Sequence, residues 1–167
     1  MITALLASST LMLSHADRPA ATLRGFTTQL TGAPPVRELA LPADSQRLHQ
    51  AVAGADVVVI GASAHTSTLD EATRLAIEHC ARNDLLAGKV VFAVVIGGWP
   101  AAAGTVPDGL TAALSAAGAI AVAPALHLAG GQQDARPAVA TFCKFWAPAL
   151  PALLQLSRAD SARPSAA

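Results

Sequence analysis

Three short stretches carry polar or glycine residues at the ends of apolar runs, where a folded chain could hold a small molecule. They are "SSTLMLSHA" at 8–16, "GASAHTS" at 61–67 and "IGGWPAAAG" at 96–104. The first offers hydroxyls (Ser8, Ser9, Ser14) and an imidazole (His15) between an apolar run and a helix-like one. A strand feeding a helix within about ten residues exposes free backbone N–H groups at the helix start, which suit a phosphate. The same hydroxyls also suit helix N-capping. The second stretch supplies Ala64, His65 and Ser67. The third supplies Gly97 and Gly98, which have no Cβ and admit close backbone approach, followed by Trp99, a flat apolar surface. For His65 the alternative is a solvated loop residue, and for Trp99 it is packing within its own loop.

Other chemistries lack their residues. There is no G-x-G-x-x-G or P-loop glycine pattern at the first turn, and no acidic pair there to serve a phosphorylatable aspartate. The five histidines form no constellation with a nucleophile. His79 and Cys80 are adjacent on a helix and point to neighbouring faces, which is unlike a metal site. The two cysteines, Cys80 and Cys143, follow no metal-binding spacing and read as reduced core thiols.

The elements that must position these stretches alternate along the chain. Strand-like runs occupy 2–8, 36–42, 56–63, 89–98 and 119–129. Between them, 68–82 places Leu69, Ala72, Ala76 and Cys80 on one helical face, with Thr68 and Glu71 spaced as a capping box. Residues 107–118 repeat the pattern and close on Gly118 as a C-cap, and 136–147 is a further helix. The middle strands are continuously apolar, as expected when helices cover both faces of a parallel sheet. Five such strands with right-handed crossovers predict the order 2-1-3-4-5. Pro124 removes a ladder donor and fits an edge strand. In this arrangement the loops after strands one, three and four converge beyond the carboxyl ends of the strands.

Composition agrees. Of 167 residues, 53% are hydrophobic and 13% charged, with zero formal net charge. That excludes a basic nucleic-acid footprint and fits one apolar α/β domain over 1–150. The small, polar run "SRADSARPSAA" ends the segment 151–167, read as a disordered tail. Apolar runs stop short of the roughly 18 residues of a membrane span. The N-terminus lacks the positive region of a secretory signal and reads as a first strand. The expectation is a cytoplasmic protein without nucleic-acid or membrane partners.

On element order and on the three stretches quoted, the chain resembles the NADPH-dependent FMN reductase family of flavodoxin-like proteins over about residues 1–147. That family opens with a strand and a loop G-S-P-R-x-x-S-x-T. Aligned without gaps at 8–16, Ser9 and Ser14 match, while Ser8 replaces the glycine, Thr10 the proline, Leu11 the arginine and Ala16 the final hydroxyl residue. The second loop, T-P-x-Y-x-x-S in the family, keeps only Ser67. The third keeps Gly97 and Gly98 and continues with Trp99. The run "LLAGKVV" at 85–91 is also typical of the family and bears on fold rather than chemistry.

The resemblance implies a flavodoxin-like three-layer sandwich binding FMN. Ser8, Ser9, Ser14 and His15 would lie about its phosphate, and Ala64, His65, Ser67, Gly97, Gly98 and Trp99 about its ring. It further implies a reductase using NADPH or NADH, in which the hydride chemistry belongs to the cofactors and no catalytic dyad is needed. Such a protein would be a dimer or tetramer and could hand reduced flavin to a partner monooxygenase. The alternative is a flavodoxin-like protein that has lost its flavin and acts through a protein partner. Helices 68–82 and 136–147 are the expected subunit surfaces.

Overall fold

The computed structural model describes residues 10–15, 19–64, 69–97, 105–121, 123–129 and 132–161. Its elements alternate as β1 (Thr10–His15), α1 (Pro19–Thr31), β2 (Arg37–Leu41), α2 (Ser45–Ala53), β3 (Val57–Ser63), α3 (Glu71–Arg82), β4 (Val90–Ile96), α4 (Thr105–Ala116), β5 (Leu126–Leu128), α5 (Gln132–Trp146) and, after a 3-10 turn, α6 (Leu150–Ser161). The strands pair in parallel in the order β2-β1-β3-β4-β5, the architecture expected from the sequence.

Successive strand residues point to opposite faces, and both faces are apolar. Leu11, Leu13, Val58, Ile60, Val91, Ala93 and Val95 pack with Leu48, Val52, Ile77, Cys80, Leu110 and Leu114 under α2, α3 and α4. Met12, Val57, Val59, Phe92 and Val94 pack with Leu23, Phe26, Leu30, Val139, Cys143 and Leu150 under α1, α5 and α6. Full burial of each large apolar side chain contributes about 1.5 to 3 kcal/mol, so these two layers dominate the stability. Both thiols are buried and free, and desolvation pushes each up to about 11. The thiolate is the reactive form. An aromatic disulfide reagent at pH 8 should therefore label neither cysteine rapidly in the native protein and both after denaturation. Fast native labelling would contradict this burial.

Four expectations need correction. The first strand lies at 10–15, not 2–8, which falls outside the described residues. In the observed register Leu13 pairs with Leu39 and Ile60, which puts Leu11 and Leu13 in one core layer and Met12 in the other. A slip by one residue would exchange the faces. Second, the cap of α3 is Asp70 rather than Thr68: its carboxylate accepts from the Thr73 backbone N–H at 2.9 Å and from the Thr73 hydroxyl at 2.8 Å. Glu71 is then the first helical residue, and Thr68 lies outside the described residues. Third, the segment after 150 is not a disordered tail as far as 161. Leu150, Leu153, Leu154 and Ser157 are buried at helical spacing, so α6 closes the sheet beside α1 and α5. Residues 162–167 lie outside the described residues.

The fourth concerns the edge. The run 119–129 touches β4 through an isolated bridge from Ile120 to Val90, and forms a true strand only at 126–128. Between those contacts β4 advances four residues, Val90 to Val94, while the facing chain advances six, Ile120 to Leu126. Pro124 lies in that excursion, and the Ala125 N–H is taken by the Thr111 hydroxyl of α4 at 3.1 Å. The edge position anticipated from Pro124 holds.

The helical row from Ala135 to Ala159 is long and apolar enough to cross a membrane by length and composition alone, although its stripe of Ala135, Val139, Cys143, Leu150, Leu153 and Leu154 is buried in this domain. At the amino end of β4, "LLAGKVV" acts as a structural joint. Leu86 is buried, Gly88 takes φ +68° and donates to the Gly118 carbonyl. The Lys89 ammonium donates to the carbonyls of Ala53 (3.3 Å) and Ala55 (2.7 Å) at the end of α2. Gly118 itself takes φ +78° after α4, as its C-cap reading required.

Candidate functional site

The carboxyl ends of the strands carry His15 (β1), Leu41 (β2), Ser63 and Ala64 (β3), Ile96 and Gly97 (β4) and Leu128 (β5). The sheet reverses its winding between β1 and β3. There the chain leaving β1 enters α1 on one face, and the chain leaving β3 enters α3 on the other. A crevice between diverging connections at such a point is where this class of sheet binds ligands.

Hydrogen bonds extend past the ladder at this end. The Ala64 N–H donates to the Ile96 carbonyl at 3.0 Å, and the Gly97 N–H donates to the Leu128 carbonyl at 3.0 Å. The Gly97 carbonyl accepts from His127 Nε2 at 2.8 Å. Because a carbonyl oxygen can only accept, Nε2 carries the proton. Gly97 has φ +86°, and a Cβ placed there would sit 3.2 Å from the Ala64 carbonyl oxygen. Glycine at 97 is thus required first by the left-handed backbone and the close approach of β3. Asp70 ties the other side: beyond capping α3, its Oδ2 accepts from the Ser63 N–H at 3.2 Å. Ser63, Ala64 and Gly97 are all small, and Ile96, the last residue of β4, packs with the layer under α1, α5 and α6.

Of the residues singled out from the sequence, Ala64 and Gly97 are brought together as expected, and Ala64 is buried. Ser14 and His15 are the last two residues of β1, paired with Ala40 and Leu41 of β2. Ser8, Ser9, His65, Ser67, Gly98 and Trp99 lie outside the described residues. The expected concave loop over 8–16 is not formed, because 10–15 is a strand with partners on both sides. The junction from strand to helix is 16–18, and α1 starts at Pro19. Proline at the first helical position has no N–H to leave unpaired, while the amides that follow it in the first turn have no intrahelical acceptor. That turn contains no acidic residue, so its positive end is uncompensated by the helix itself.

Sequence reasoning missed Asp70 and His127. Each had a visible signal, an aspartate directly before an amphipathic helix and a lone polar residue in the edge run "ALHLA". Among the described residues, no group of three His, Cys, Asp or Glu side chains could hold a metal. Nor does a nucleophile meet a base among the described side-chain hydrogen bonds at these strand ends.

Comparison with known proteins agrees with this geometry. A search of curated protein sequences finds no match. Among solved structures, the chain is similar to a flavodoxin, WrbA-like protein from Agrobacterium tumefaciens (TM-score 0.65, 11% identity, covering 92% of this chain and 99% of that one). It is also similar to the apo form of an NADH:FMN oxidoreductase, EMOB (TM-score 0.59, 13% identity, 95% and 92% covered). A flavodiiron protein from Giardia intestinalis matches over 89% of this chain (TM-score 0.60, 15% identity), which spans only 37% of that longer protein. At these identities the likeness is one of fold. The family model for NADPH-dependent FMN reductase matches residues 8–133, opening two residues before β1 and running through the carboxyl ends of β1, β3 and β4, and the chain therefore belongs to that family.

Proposed function

We propose that the chain is a flavin-binding oxidoreductase that holds FMN across the ends of β1, β3 and β4 and reduces it with NADPH or NADH. The observation that carries this reading is the coincidence of the winding reversal with strand ends made of Ser63, Ala64 and Gly97, which leave room for a flat ring. The residues fit the cofactor at its other end as well. The family's phosphate loop follows its first strand, and with β1 at 10–15 that loop falls at 15–23 instead of 8–16. Moving the pattern seven positions brings Arg18 to the place of the family arginine, where the gap-free alignment had Leu11. The phosphate would then meet the first-turn amides of α1 and Arg18, which lies outside the described residues.

The chemistry FMN would supply there is acceptance of a hydride from the nicotinamide. The chain's contribution is to bind the phosphate, pack the ring between small strand ends and exclude water. Trp99, directly after the glycine pair, would cover the ring in a chain that has no tyrosine. We further take the protein to be a cytoplasmic dimer or tetramer that passes reduced flavin to a partner monooxygenase. In favour of subunit contacts, α3 exposes Leu75 (46%) and α5 exposes Phe145 (73%).

Titrating the purified protein with FMN should perturb the flavin absorbance and quench its fluorescence, and NADPH or NADH should then bleach the bound flavin. Arg18→Ala should weaken binding by about tenfold or more, since hydrogen bonds to a charged group contribute about 1.5 to 3 kcal/mol. Ser9→Ala should change little. No FMN binding by the wild type would favour the flavin-free scaffold instead. A loss with Ser9→Ala but not with Arg18→Ala would restore the 8–16 loop as the phosphate site.

A further inference from the structure

His127 sits in the middle of β5, facing Val95 of β4 across the ladder. Its neighbours Leu126 and Leu128 belong to the layer under α1, α5 and α6. His127 therefore projects to the other side of the sheet, toward α4, and reaches past the end of β4 to the Gly97 carbonyl at 2.8 Å. Gly97 is thereby gripped at both of its backbone groups, the N–H by the Leu128 carbonyl at 3.0 Å and the C=O by the imidazole. A glycine with φ +86° has few steric restraints of its own, so these two bonds decide the direction in which the chain leaves β4.

We propose that His127 is a positioning residue for the flavin site. By donating to the Gly97 carbonyl, it holds that carbonyl toward β5 and fixes the direction in which the chain leaves β4. This rests on the reading of the crevice as an FMN site. The strand bond from Gly97 N–H to Leu128 would survive loss of the imidazole. The Gly97 carbonyl would not stay oriented, because β5 is only three residues long and offers that carbonyl no other donor among the described hydrogen bonds.

The chemistry of the donor gives a sharp contrast between variants. A glutamine amide nitrogen can reach the position of imidazole Nε2, whereas an asparagine amide nitrogen reaches only that of Nδ1. His127→Asn should loosen FMN roughly tenfold, the scale of one hydrogen bond in a site that must otherwise order the loop, and His127→Gln should restore most of the affinity. Hydrogen exchange followed by mass spectrometry supplies a second readout that needs no flavin. In the apo protein, peptides spanning 94–104 should exchange faster in His127→Asn than in the wild type, those of β1 and β3 should not, and His127→Gln should behave as wild type.

Unchanged exchange at 94–104 in His127→Asn would overturn the proposal. So would equal loss of FMN in both variants, which would indicate a role in stability alone. If the exchange result holds while the wild type binds no FMN, the positioning of Gly97 stands as a structural fact. The assignment of the crevice to flavin fails instead.

Discussion

Gly61→Val should destabilise the protein severely, and Gly61→Ala should do so by a smaller, measurable amount. Gly61 is in β3, the strand between β1 and β4, and faces α1. A Cβ built on it would lie 2.1 Å from Leu23 Cδ1 and 3.0 Å from Leu23 Cγ and Cδ2. Leu23 is fully buried within a layer that includes Phe26, Met12 and Val59, so its side chain cannot simply swing into solvent. Inserting carbon into a packed core typically costs about 1 to 3 kcal/mol, and valine adds two methyls to the alanine clash. With total stabilities of about 5 to 15 kcal/mol, Gly61→Ala should lower Tm by several degrees. Gly61→Val should come near to preventing folding.

A double-mutant cycle tests the cause. Leu23→Ala alone leaves a cavity and should cost about 2 to 5 kcal/mol, but in the Gly61→Ala background the new methyl fills part of that space. The two losses should fall short of additivity by at least about 1 kcal/mol. Strict additivity in denaturant melts would show that the glycine is not there for Leu23. The effect bears on the site too. Leu23 is one turn beyond the start of α1, and the helix terminus it anchors is the one assigned to the phosphate.

The fold was legible because its signals are redundant. Val57–Ile60 and Val90–Val95 are apolar without alternation, Gly118 stops α4 where a positive φ is needed, and Pro124 marks the edge. β1 was misplaced because "ITALLAS" and "TLMLSH" look alike as local runs. Only tertiary pairing distinguishes them, since Leu13 must lie beside Leu39 and Ile60. That slip of about one strand also moves the place where a loop can follow β1, which is why Arg18 is proposed above beside Ser9 and Ser14. The C-terminal helix was missed for a related reason. Its polar end "SRADSA" dominates the composition, whereas the stripe of Leu150, Leu153 and Leu154 that docks it lies just upstream. "LLAGKVV" was readable as fold because its residues do their work at the amino end of β4, remote from the crevice. Gly97 was singled out for close approach of a ligand, and the chain itself supplies a further demand for glycine there, its φ of +86°.

That demand sets the order of losses expected at position 97. A φ of +86° disfavours any side chain, and a residue held in such a region costs on the order of 1 to 3 kcal/mol. Asparagine tolerates left-handed backbone better than other non-glycine residues, and valine tolerates it least. If backbone conformation rules, stability should fall in the order Gly, Asn, Ala, Val. If the 3.2 Å approach of Cβ to the Ala64 carbonyl rules instead, alanine, the smallest, should be the mildest change. The strain can also be relieved by changing φ and ψ at Gly97, which turns its two flanking peptides and puts at risk the bond of its N–H to Leu128 and that of its carbonyl to His127. On the proposed FMN site, Gly97→Val should therefore lose FMN affinity by well over tenfold, more than its drop in Tm alone would suggest, because the end of β4 that borders the site shifts before the rest of the sheet does. Thermal melts of the three variants beside flavin titrations give both orders at once. A Gly97→Val protein with wild-type Tm and wild-type FMN affinity would show that neither the turn nor the crevice depends on this glycine.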